Sequence, residues 1–115
     1  MAGTHCYPVG IKVIAMYQVT NRVFVAPGWE DAFEERFRQR AGRIHHTPGF
    51  VRMEVLRPEA DGLPYLVQSV WQSKEAFDAW VGSEDFRAAH ADPLPQEAFS
   101  RGSEMERHAV VVAAP

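Results

Sequence analysis

Cysteine is almost missing from this sequence. Cys6 stands alone, so no internal disulfide can close, and any zinc or iron–sulfur site built from several thiolates is excluded. No apolar run approaches the roughly 20 residues that a membrane span needs. The opening stretch from Met1 to Pro8 has neither the positive start nor the apolar core of a secretory signal. Basic charge is in deficit, with 12 Lys and Arg against 15 Asp and Glu. Such a surface does not gather phosphates, so neither nucleic acid nor membrane is expected as a partner. Nucleotide-cradling glycine loops, a nucleophile elbow, an acidic calcium loop and a flavin or nicotinamide motif are all missing. A cytoplasmic protein is the expectation.

The 115 residues are 46% hydrophobic and 23% charged, the balance of one ordinary globular domain. Residues 1–10 read as a leader, interrupted by Gly3, Pro8 and Gly10, and 11–115 as a single domain. A β-rich run from Ile11 to Val25 stops at Pro27-Gly28. Trp29, Phe33, Phe37, Ala41 and Ile44 then recur at helical steps within a helix from Gly28 to His46. Phe50–Arg57 and Tyr65–Gln72 read as two strands joined by a polar turn, Pro58 to Gly62. Ser73 caps a helix to Val81, and Ser83 caps a second segment, Glu84–Ala91. A loop over 92–102 leads to a last strand, Glu104–Ala113.

The order β-α-β-β-α-β predicts an α+β, ferredoxin-like fold with an antiparallel sheet covered by helices on one face. Alternation places Val51, Met53 and Val55 on one side of the second strand and Phe50 and Leu56 on the other. Leu66 and Val70 oppose Tyr65, Val67 and Trp71 in the third. Both faces are therefore apolar, and a homodimer whose two sheets close into a barrel is expected.

Three residues stand out as chemistry. Asn21 is the sole asparagine, inside a strand where asparagine is depleted; it marks either a functional group facing the side of Val19 and Val23, or a bulge or a turn between two shorter strands. Trp80 follows Phe77 on the short helix and reads by itself as core. His90, one turn after Phe86, is either a surface histidine or a metal ligand at an element end. His45-His46 point apart on a helix, so they suit a helix C-terminus better than a chelate.

The segments Asn21-Arg22-Val23-Phe24-Val25, Glu35-Arg36-Phe37-Arg38-Gln39-Arg40, Pro48-Gly49-Phe50, Val70-Trp71-Gln72-Ser73 running on to Trp80, and Phe86-Arg87-Ala88-Ala89-His90 resemble IsdG-type haem-degrading monooxygenases of the antibiotic biosynthesis monooxygenase superfamily. The likeness runs over about residues 14–113, and the combination of Asn21, Trp80 and His90 is its specific part. It implies haem as both substrate and cofactor, O2, an external reductant delivered by a partner reductase, and a dimeric barrel. It implies His90 as the iron ligand, Asn21 as a distal hydrogen-bond donor, and Trp80 as the indole that buckles the macrocycle. Arg36, Arg40 and Phe37 fall at haem-contacting positions, with a solvated helix face or the core as the other readings. A haem-buffering protein without turnover and a cofactorless monooxygenase acting on quinol or aromatic substrates are the alternatives.

Overall fold

The computed structural model describes residues 16–115. The expected leader with Cys6, and the start of the first expected strand at 11–15, lie outside the described residues. The elements are β1 (Tyr17–Val23), α1 (Glu30–Ile44), β2 (Phe50–Leu56), β3 (Tyr65–Trp71), α2 (Lys74–Val81), α3 (Glu84–Ala89) and β4 (Glu104–Ala109). All pairings are antiparallel, and the sheet order is β2-β3-β1-β4. This is the ferredoxin-like arrangement, with its second helix split in two.

Local chemistry explains the boundaries. Gly28 turns the chain at φ +92, its N–H donates to Glu30 Oε1 at 2.9 Å, and α1 opens on Glu30 and Asp31 as the helix dipole favours. Ser73 Oγ accepts from Ala76 N at 3.1 Å. Ser83 Oγ accepts from Phe86 N at 3.1 Å, which restarts the chain as α3. Gly49 is required twice over: its φ is +81, and a Cβ there would collide with the Cβ of Ala76. The Pro48-Gly49-Phe50 turn is thus the place where the start of β2 passes close against α2.

Helices cover the face that carries Val19, Val23, Tyr65 and Trp71. One cluster joins Val19 and the fully buried Trp71 to Phe77 and Trp80 of α2. A second joins Val23 and Tyr65 to Phe33 of α1. Truncating a buried side chain of Trp71's size costs about 3–5 kcal/mol.

Three features depart from the sequence reading. In β2, Phe50 pairs with Trp71 but Arg52 pairs with Val70, so Val51 is an extra, bulged residue. The bulge resets the alternation, and Phe50 joins the covered face instead of opposing Met53 and Val55. Its ring meets Trp71 edge-on at 5.4 Å. The last strand ends at Ala109, not Ala113; after Val110 N donates to Met16 O at 2.8 Å, the chain has passed the described part of β1. Val111 and Val112 are 72% and 78% exposed. Finally, the loop after α3 is pinned to the chain following β1. Gln96–Ala98 forms a 3-10 turn, Ala26 N donates to Ala98 O at 2.7 Å, and Ser100 N donates to Phe24 O at 2.9 Å.

Away from these elements, a carboxylate ties α1 to the sheet. Arg57 Nε and Nη2 donate to Glu34 at 2.7 and 2.6 Å, and the Tyr65 hydroxyl donates to Glu34 Oε2 at 2.5 Å. The Arg57 bonds, followed by that of Tyr65, hold the Glu34 carboxyl at about 2 instead of 4.5. Burial, followed by the Glu34 hydrogen bond, pushes the Tyr65 phenol up to about 12. The folded-state value of Glu34 is depressed, so its stabilisation is complete above its ordinary value near 4.5 and vanishes as pH falls through about 2. Urea midpoints recorded across that window are expected to fall more steeply for the parent protein than for Glu34→Gln. Parallel slopes would contradict this account of the cluster.

Candidate active site

Between the covered sheet face and the helices lies a cavity of two lobes. The inner lobe, about 390 Å³, has Val19, Val67 and Met53 on the sheet side, with Ile44 of α1 and Trp80 of α2 among its walls. The outer lobe, about 560 Å³, reaches past Phe99 to Arg101 and Ser103. Asn21, Phe37, Arg40 and His90 line both. Each volume lies in the range of about 300–1,000 Å³ typical of small-molecule sites.

Asn21 comes from the middle of β1, paired with Val67 on one side and Met105 on the other. The register is regular there, so the bulge reading is set aside. Its side chain shares the face of Val19 and Val23, as parity predicts. Asn21 Oδ1 is buried and has no hydrogen-bond partner. A buried polar atom left without a partner costs about 1–3 kcal/mol, and such a group in an apolar cavity suits a ligand better than the fold alone.

His90 is the C-cap of α3. Its Nδ1 lies 2.8 Å from the carbonyl oxygen of Phe86. A carbonyl only accepts, so in the neutral imidazole Nδ1 carries the proton and Nε2 keeps its lone pair. That is the arrangement by which proteins orient a metal-binding imidazole. The ring also stacks on Phe86 at 4.1 Å. No group of three or more His, Cys, Asp or Glu side chains capable of holding a bare metal ion occurs among the described residues. One imidazole suits a metal already held by another ligand frame.

Both readings of Trp80 hold. It is core, 6% exposed, stacked on Trp71 at 6.3 Å and edge-on to Phe86 at 5.6 Å, and it also walls the inner lobe. The helix that carries it is clamped to the sheet by Arg107 of β4, whose Nη2 donates to Asp78 Oδ1 at 3.1 Å. Phe37 is likewise both, tilted against Phe33 at 5.0 Å and facing the cavity.

Arg40 reaches the cavity with its guanidinium 5.5 Å from the Phe37 ring. No carboxylate among the described residues lies within salt-bridge distance of it. Burial pulls its pKa below the usual arginine value, Arg36 adds to that, and Asp92 opposes it. A partly desolvated cation without a counter-ion is a site for an anionic group. Arg36 lines neither lobe. One turn earlier on α1, Arg36 turns outward to the chain beyond α3, where its Nη1 donates to the carbonyl of Asp92. Arg36 and Arg40 both border a neighbouring surface pocket, together with Ala88, Asp92 and Leu94.

Sequence reasoning missed Met105, opposite Asn21 on β4, and Arg101 at the outer rim. β4 is exposed along its whole length, so its alternation gives no inward signal. The rim residues follow a turn whose pinning depends on backbone bonds. Replacing Asn21 by Val, which keeps a strand-forming shape and removes the unpartnered oxygen, is expected to leave stability unchanged or raise it by about 1 kcal/mol. A drop of more than that in urea titration would show that the fold needs the amide.

Comparison with known proteins identifies the family of this fold. The profile of the antibiotic biosynthesis monooxygenase family matches residues 16–92. A mycobilin-producing heme oxygenase of Mycobacterium tuberculosis is 38% identical over 71 residues, 62% of this chain and 67% of that protein. A heme-degrading monooxygenase of Shouchella clausii is 30% identical over 99 residues, 84% of this chain and 92% of that protein. The structure of the Mycobacterium tuberculosis heme-degrader MhuD with two hemes bound in its active site superposes with TM-score 0.72 at 30% identity, covering 86% of this chain and 99% of that one. The chain belongs to the antibiotic biosynthesis monooxygenase family.

Proposed function

We propose that the chain is a haem-degrading monooxygenase, opening the porphyrin with O2 and electrons supplied from outside to release iron. The observation that carries this reading is the pairing, in one apolar cavity, of an imidazole with a free Nε2 lone pair and a buried asparagine whose Oδ1 lacks a partner. Bound haem supplies the iron at which O2 is activated, and is itself the molecule oxidised.

The chain's residues then divide the work. His90 holds the iron through Nε2 while Phe86 O fixes the ring. Asn21, lining both lobes, would turn its amide toward a bound haem, where the N–H would donate to developing negative charge. Trp80, backed by Trp71, presses an indole that cannot retreat against the flat ligand. Arg40 meets a propionate, which supplies the missing counter-ion. Phe37 covers apolar ring surface. The electron donor is a separate reductase, and the reaction is assigned to the cytoplasm.

The second partner is another copy of this chain. The sheet face away from the helices carries the exposed Leu56 and the half-buried Leu66, and the tail carries the exposed Val111 and Val112. Packing two such faces together forms a dimeric α+β barrel. Sedimentation equilibrium at micromolar concentration is expected to return twice the chain's 13.0 kDa; a monomer mass would contradict the dimer.

Titration of the protein with hemin, followed by ascorbate in air, tests the enzymatic reading. A Soret band is expected to grow to saturation and then to bleach. His90→Ala should lose hemin affinity, and Asn21→Ala should bind hemin but turn over at least about tenfold more slowly. A Soret band that persists under reductant in the parent protein would make it a carrier. Parental turnover in Asn21→Ala would remove the distal role.

A further inference from the structure

His90 sits at the end of a very short helix. α3 has six residues, far below the roughly 12–15 at which a helix persists by itself in water. Its last turn is held by His90 N donating to Phe86 O at 3.1 Å and Ala91 N donating to Ala88 O at 3.4 Å. Neither bond anchors the segment to the rest of the protein.

The anchor comes from 56 positions away in the chain. Arg36 Nη1 donates to the carbonyl oxygen of Asp92 and lies 3.5 Å from the Asp92 carboxylate. The Arg36 side chain is only 25% exposed, whereas that of Asp92 is 95% exposed. The guanidinium therefore satisfies a carbonyl just beyond the helix end, where a cation also complements the helix dipole. Arg36 and Arg40 are one turn apart on α1, yet only Arg40 lines the lobes of the cavity described above.

We propose that Arg36 is a positioning residue: its link to Asp92 clasps the His90-bearing segment to α1 and so holds the imidazole at the cavity. The assignment rests on the haem reading for its consequence but not for its existence. It also says which part of the link matters. The carbonyl bond from a charged, mostly buried donor is the strong half. The pair with an exposed carboxylate is the weak half.

The test compares the parent protein with Arg36→Lys, Arg36→Met and Asp92→Ala. In the ligand-free protein, amide exchange at His90 and Ala91 is expected to accelerate about tenfold or more in Arg36→Met. It should change little in Asp92→Ala and recover in large part in Arg36→Lys. With hemin, Arg36→Met is expected to weaken binding and to shift or broaden the iron–histidine stretch of the ferrous complex. Binding of hemin dimethyl ester, which has no propionate charge, should weaken by the same factor. Unchanged amide exchange in Arg36→Met would overturn the clasp even if hemin binding stands. A penalty for hemin but none for the ester would overturn it too, and make Arg36 a carboxylate ligand. Should the parent take up no hemin, the functional reading falls, and the exchange result by itself upholds or overturns the clasp.

Discussion

A chain of ring contacts runs from the core to the site. Phe50 meets Trp71, Trp71 stacks on Trp80, Trp80 meets Phe86 edge-on, and Phe86 stacks on His90. Each such contact adds about 0.5–1.5 kcal/mol beyond the area it buries, but its main consequence is geometric. Rings have few rotamers, and close packing confines the buried Trp71 and Trp80. The fully buried Trp71 anchors the series on the sheet. From it, the position of Trp80 follows through ring contact, and Phe86 carries the series on to the imidazole. The glycine at position 49, which lets β2 start tight against α2, belongs to the same construction.

Against this rigid apolar frame stand two groups that the fold does not satisfy. Asn21 has a buried oxygen without a partner, and Arg40 has a ring beneath it but no carboxylate within salt-bridge distance among the described residues. Both line the same two lobes as His90. Many charges elsewhere are matched, as where Arg57 and Tyr65 converge on Glu34 or Arg107 reaches Asp78; Arg22 Nε, on the other face of β1, is also buried without a hydrogen bond but has Glu104 at 3.3 Å. The contrast locates function. Unmet polar demand gathers at the cavity, where a carboxylate-bearing ligand would meet Arg40, and the protein tolerates the loss in stability there.

Much of this was legible in the sequence because it follows from short-range rules. Helical spacing of Trp29, Phe33 and Phe37 and the serine caps located the helices, and parity put Asn21 beside Val19 and Val23. What was not legible depends on long-range or backbone geometry. A bulge at Val51 shifts Phe50 to the other face, and no side chain announces it. Helical spacing puts Arg36 and Arg40 on one stripe, but which of them meets the cavity depends on where α3 ends. The imidazole's tautomer is set by a main-chain carbonyl, that of Phe86, and a carbonyl has no letter in the sequence. The covered half of the loop after α3 likewise depends on backbone bonds to Phe24 and Ala26.

The central claim is that one imidazole nitrogen of His90 binds the iron of haem. Electron–nuclear double resonance of the ferric hemin complex, prepared with ¹⁵N-histidine, measures this directly. The account predicts a strongly coupled histidine nitrogen that disappears in His90→Ala. A spectrum without such a coupling, or one that His90→Ala leaves unchanged, would contradict it.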